Sequence, residues 1–162
     1  MVILGLSPIV HESAAGLVVD GKLVAATSEE RFTRKKNDGG FPHRSIEFCL
    51  RRAAIAASDI DSVAYAALPF SRERARDVVG YIQNVAYVVS AHDALSSKLS
   101  HLLNYSRNMV WHKEWASWGK TERRIRDELR KLGLADKMVY VDHHRAHVAS
   151  AVYSSGFDEC LG

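Results

Sequence analysis

The sequence is poor in the residues that build special architectures. Among 162 residues there are two cysteines, Cys49 and Cys160, and three prolines. Two isolated thiols make neither a disulfide framework nor a C-x-x-C metal clip, so a cytoplasmic setting is expected. Aromatic residues are 9%, with no aromatic–basic stripe of the RNA-binding kind. The formal charge is only +3, from 22 basic and 19 acidic residues, which makes no case for nucleic acid or membrane partners. Long apolar runs are missing too. The longest weakly polar stretch, Val78 to Ala91, is broken by Gly80, Gln83 and Asn84 and is too short to span a bilayer. The opening MVILGLSP lacks the basic n-region of a secretory signal. What is present is ordinary: 47% hydrophobic and 25% charged residues, enough for one folded domain and too many apolar groups for disorder.

The pattern is α/β. Val2 to Leu6 is an apolar run closed by Ser7-Pro8. Ser13 to Asp20 and Lys22 to Ser28 flank Asp20-Gly21, a two-residue hairpin signal, so a three-stranded antiparallel meander is expected. A charge-dense loop, Glu29 to Gly40, follows. Pro42 opens a helix whose Ile46, Cys49, Leu50 and Ala53 recur at helical spacing. Ser62 to Leu68 reads as a strand, and Ser71 to Ala91 and Asp93 to Tyr105 as helical segments. Thr121 is expected to cap an amphipathic helix ending at Leu132, with solvent-facing pairs Glu122–Arg126 and Asp127–Lys131. Met138 to Val141 is a short strand, and His144 to Ser154 a last helix. The resulting β-β-β-α-β-α-β-α order implies a mixed sheet with helices on both faces, as in ribonuclease-H-like and actin-like half-domains.

The densest chemistry lies in Asp142-His143-His144-Arg145-Ala146-His147. His143 and His147 are four apart, so on a helix they share a face and can share a divalent metal. His144 and Asp142 can orient an imidazole or meet a substrate phosphate. The alternative is a solvent-facing cap with ordinary hydrogen bonds. His11, in the connection between the first two strands, suits a base or a phosphate-side contact, beside Glu12 and Ser13. Arg31, Arg34, Lys35 and Lys36 put four cations in six residues, a surface fit either for oxyanions or for plain solvation.

Taken together, ILGLSPIVHESAAGLVVDGKLVAATSEERFTRKKNDGGFP and the later DHHRAHVASAVYSSGF resemble the O-carbamoyltransferase family of nodulation-factor and antibiotic biosynthesis. That resemblance implies an N-terminal actin-like domain similar to the universal tRNA threonylcarbamoyl transferase, followed by an adenylate-forming domain. Carbamoyl phosphate and ATP yield carbamoyl-adenylate, and the carbamoyl group passes to a hydroxyl of a small-molecule or oligosaccharide acceptor. By the same resemblance His143 and His147 ligate iron or a similar divalent metal, and His11 assists proton removal from the acceptor. Glu12 stands where aspartate is usual, with Ser13 beside it, and Arg31, Arg34 and Lys35 fall in the family's basic loop. His144, from its place in the histidine run and not from the resemblance, is expected among the substrate contacts. The family is several times longer, so this chain is expected to be the N-terminal part of such an enzyme, inactive without the remainder. A non-enzymatic half-domain acting as an assembly or regulatory module, with Trp111, Trp115 and Trp118 as its contact surface, is the alternative.

Overall fold

The computed structural model describes residues 1–7, 12–69, scattered positions between 71 and 90, and 113–155. The chain divides into two compact units, Met1–Leu68 with Arg123–Gly162, and Pro69–Glu122. The sheet and the candidate site belong to the first. Strands β1 (Val2–Leu6), β2 (Ala14–Val19) and β3 (Lys22–Ser28) form an antiparallel meander. The hairpin between β2 and β3 turns on Asp20 and Gly21, with φ of 49° and 78°. Both angles are positive, the type I′ geometry whose twist matches the strands and which the Asp-Gly pair favours. β4 (Ser62–Tyr65) runs parallel to β1, and β5 (Met138–Tyr140) parallel to β4, giving the order β3-β2-β1-β4-β5. The α/β class with a mixed sheet therefore holds.

One face of this sheet makes the core. Alternation along β1, β2 and β4 sends Leu4, Leu6, Leu17, Val63 and Tyr65 to the same side, all fully buried or nearly so. Burial of each such side chain contributes about 1.5–3 kcal/mol. Helix α2 (His43–Ala53) lies on that side, its Cys49 Sγ 3.7 Å from the Ala15 carbonyl and 3.8 Å from that of Ala25. Burial pushes the Cys49 thiol pKa up, so the group behaves as a small hydrophobe. Helix α3 (Lys113–Lys131) buries Ile125 and Leu129 and reaches β5 through Arg126. The Arg126 Nη2 donates to the Tyr140 hydroxyl at 3.0 Å, and the Tyr140 ring meets Tyr65 edge-on at 6.2 Å. The opposite face carries a cross-strand row of small residues, Ala26, Gly16, Gly5 and Ala64, ending at the exposed Val139.

Several local expectations are corrected. β4 stops at Tyr65, because the Ala67 N–H turns back to the Tyr65 carbonyl at 2.8 Å. Thr121 is no cap: α3 begins at Lys113, and Thr121 lies inside it. Start signals of this kind are worth about 1 kcal/mol, which tertiary context overrides. Lys131 pairs with Glu128, and Arg130 with Asp127, so the expected Asp127–Lys131 pair gives way to bonds three residues apart. Pro42 sits at the N-cap of α2, with its carbonyl accepting the Ile46 N–H at 2.9 Å. The stretch 29–40 is not merely a solvated loop: it opens with a helical turn, α1 (Glu30–Thr33), and buries Glu29. The expected helix over 93–105 and the side chains of Trp111, Trp115 and Trp118 lie outside the described residues, as does most of 71–91.

Candidate functional site

The sheet register decides where the chemistry gathers. Leu6 pairs with Ala15 and with Tyr65, Ala14 with Ser28, and Tyr65 with Tyr140. The connection after β1, the basic stretch after β3 and the histidine run after β5 therefore all leave the sheet at one end. Ligands of open α/β sheets sit outside the carboxyl ends of parallel strands, and β1, β4 and β5 end here. A cavity of about 590 Å³ opens at this end, bordered by Gly5, Ser7, Gly16, Ala64 and Ala146 among others.

Helix α4 (His143–Ser155) begins directly after β5. Asp142 starts it: its carbonyl accepts the Ala146 N–H at 2.9 Å, and its Oδ1 accepts the Arg145 N–H at 3.1 Å, an N-cap by geometry. With His143 at the first helical position, His147 stands one turn above it. Their Nε2 atoms are 3.0 Å apart and their ring planes meet at 86°. Two nitrogens each about 2.0–2.1 Å from one ion lie about 2.9 Å apart at right angles and about 3.3 Å apart in a tetrahedron, so this separation is within the range that one shared ion requires. The same separation suits one N–H···N bond. Among the described residues no third histidine, cysteine or carboxylate joins them. His144 is exposed and stands edge-on to His143 at 5.8 Å.

The other site residues fall into two sets. Glu12 is exposed, and its carbonyl accepts the Ser7 hydroxyl at 2.8 Å, closing the β1–β2 connection. His11 lies outside the described residues. Ser13, expected at the substrate, is 1% exposed and donates its N–H and its hydroxyl to the Asp38 carbonyl at 3.0 and 2.8 Å. It works as a tie between two loops. Arg31, Arg34 and Lys35 are exposed. Arg34 has a φ of 59°, and its N–H closes α1 on the Glu30 carbonyl at 2.9 Å. Asp38 ends the basic stretch. The Thr33 hydroxyl and then the Gly40 N–H hold its carboxyl below the usual range. Sequence reasoning missed Glu29, Ser45 and the capping role of Asp142. A signal for the last was present, since Asp directly ahead of a helix is a favoured cap.

Comparison with known proteins decides the family. The family model described as "Carbamoyltransferase N-terminus" matches residues 2–161. The chain belongs to that family. The uncharacterized protein sll1178 of Synechocystis sp. is 34% identical over 160 residues, 97% of this chain and 24% of that protein. Nodulation protein NolNO of Sinorhizobium fredii is 49% identical over 55 residues, 34% of this chain and 8% of NolNO. An uncharacterized 19.2 kDa protein of Rhizobium etli is 47% identical over 55 residues, 34% of this chain and 32% of that protein. The chain thus spans about a quarter of sll1178, and its matched part a smaller share of NolNO. Among the described residues no helix is long and apolar enough to cross a membrane.

Proposed function

We propose that this chain is the N-terminal lobe of an actin-like domain in a cytoplasmic O-carbamoyltransferase, working with the remainder of the same enzyme. The observation that carries the reading is the carbamoyltransferase family match over residues 2–161. The gathering of three loops at one sheet end is consistent with it. The full enzyme uses ATP and carbamoyl phosphate, and passes the carbamoyl group from carbamoyl-adenylate to a hydroxyl of a small molecule or saccharide.

Attack of an alcohol on a carbamoyl carbon needs a base at the hydroxyl and neutralisation of the departing phosphate. His11 takes the acceptor proton, with Glu12 beside it. Arg31, Arg34 and Lys35 supply fixed positive charge, arginine matching phosphate oxygens bidentately. His143 and His147 would hold a divalent ion, iron or similar, and His144 would meet the substrate. When bound, that ion supplies charge neutralisation at the adenylate phosphate. Closing both substrates into one cleft supplies much of the remaining acceleration.

The test is transfer of labelled carbamoyl from carbamoyl phosphate, with ATP, to a panel of hydroxylated acceptors by the full-length protein. An O-carbamoylated product that disappears in His11→Ala supports the reading. Absence of transfer to every hydroxyl class, with a metal-loaded and folded enzyme, overturns it.

A further inference from the structure

Glu29 is the one acid among the described residues that is essentially buried, 5% exposed, in a segment whose cations Arg31, Arg34, Lys35 and Lys36 are open to solvent. A buried carboxylate is costly unless its oxygens are satisfied. Here they are. Oε1 accepts the Arg44 N–H at 3.1 Å, and Oε2 accepts the Ser45 N–H at 2.9 Å and the Ser45 hydroxyl at 2.8 Å. These are N–H groups of the first turn of α2, which have no partner inside the helix, and Pro42 at the N-cap offers no side-chain bond. Glu29 caps a helix to which it does not belong.

The backbone of the same residue organises the basic stretch. Its N–H donates to the Ser13 carbonyl at 2.9 Å, and its carbonyl accepts the N–H groups of Phe32 and Thr33, each at 3.0 Å. Arg44 adds a bond from Nη1 to the Phe32 carbonyl at 3.1 Å, and the Phe32 and Phe48 rings meet at 5.8 Å. Helix α1 is therefore stapled to α2 at its base, while Ser13 holds the far end through Asp38. Between the two ties stand Arg31, Arg34 and Lys35, exposed and in no ion pair among the described residues.

We infer that Glu29 is a positioning residue: its carboxylate, seated on the first turn of α2, fixes the direction of α1 and so the geometry with which Arg31, Arg34 and Lys35 meet a phosphate. This rests on the reading of those cations as phosphate contacts. Glu29 does not touch the substrate. Its effect is orientation, and bidentate recognition is sensitive to orientation.

The experiment compares Glu29→Gln, Ser45→Ala, Arg34→Ala and Lys35→Ala in the full-length enzyme. One readout is KM and kcat for ATP and carbamoyl phosphate. The other is the rate of tryptic cleavage after Arg31, Arg34 and Lys35 in the native protein. Glu29→Gln is expected to raise KM about tenfold with kcat changed less than about threefold, and to speed cleavage within the segment. Ser45→Ala, which removes one of the three bonds, moves both readouts the same way by less, and it decides the matter if Glu29→Gln does not fold. The proposal is overturned if Arg34→Ala raises KM while Glu29→Gln and Ser45→Ala leave KM and cleavage at wild-type values. If cleavage accelerates in Glu29→Gln but Arg34→Ala and Lys35→Ala leave KM unchanged, it is the phosphate reading of the loop that fails, and the tie between α1 and α2 stands.

Discussion

The Nε2 atoms of His143 and His147 face each other at 3.0 Å across one turn of α4. Two imidazole nitrogens this close either share one N–H···N bond or stand within reach of a single cation. Titration with Zn²⁺ as the probe separates these states. The chain is expected to bind one equivalent weakly, since two ligands leave a coordination sphere incomplete, and His143→Ala/His147→Ala is expected to lower that affinity at least about tenfold. Equal binding by the double variant removes the pair from the metal-ligand role.

Asp142 carries the start of α4 and with it the height of both histidines. Asp142→Ala is expected to cost about 1 kcal/mol, the usual loss for a missing N-cap, whereas Asp142→Asn keeps the accepting oxygen and stays near wild type. Chemical denaturation of the three proteins checks this. Equal losses for Ala and Asn assign the effect to charge instead of the cap.

Acid sensitivity follows from Asp38. Its folded-state pKa lies below the ordinary 3.8 because the Thr33 hydroxyl, and then the Gly40 N–H, bond the charged form. A depressed carboxylate stabilises the fold fully above its unfolded value and loses that contribution as pH falls through the folded one. Urea midpoints are expected to fall as pH drops below about 4, and Thr33→Val to flatten that fall. An unchanged slope in Thr33→Val contradicts the assignment.

The two faces of the sheet respond differently to substitution. Leu17 is fully buried, and Leu17→Ala is expected to cost about 2–5 kcal/mol through lost burial and a cavity. Gly16 lies on the other face, where an added Cβ meets Ala26 Cβ at 3.6 Å and the Ala25 carbonyl at 3.7 Å, ordinary contact distances. Gly16→Ala is expected to stabilise this chain by about 0.5–1 kcal/mol by reducing the freedom of the unfolded state. Thermal melts of both variants decide; a destabilised Gly16→Ala places something over that row.

The elements legible in the sequence are those set by neighbours along the chain. The β2–β3 hairpin follows from Asp20-Gly21, because positive φ at two successive positions is a local steric matter. The apolar period of α2 located its buried Ile46 and Cys49, and the four-residue spacing of His143 and His147 placed their rings on one helix face. The start of α3 was not legible, since Thr121 offers a cap only if no helix already runs through it.

The residue types and their spacing were enough to set the α/β class, the meander, the histidine pair and the family resemblance. Only the tertiary structure turned Glu29 from one charge in a basic stretch into the cap of another helix, and tied Ser13 to the Asp38 carbonyl. The physical reason is that burial of a polar group is settled by partners remote in sequence. Whether a carboxylate faces water or an uncapped helix end depends on where the chain returns, and no local pattern records that.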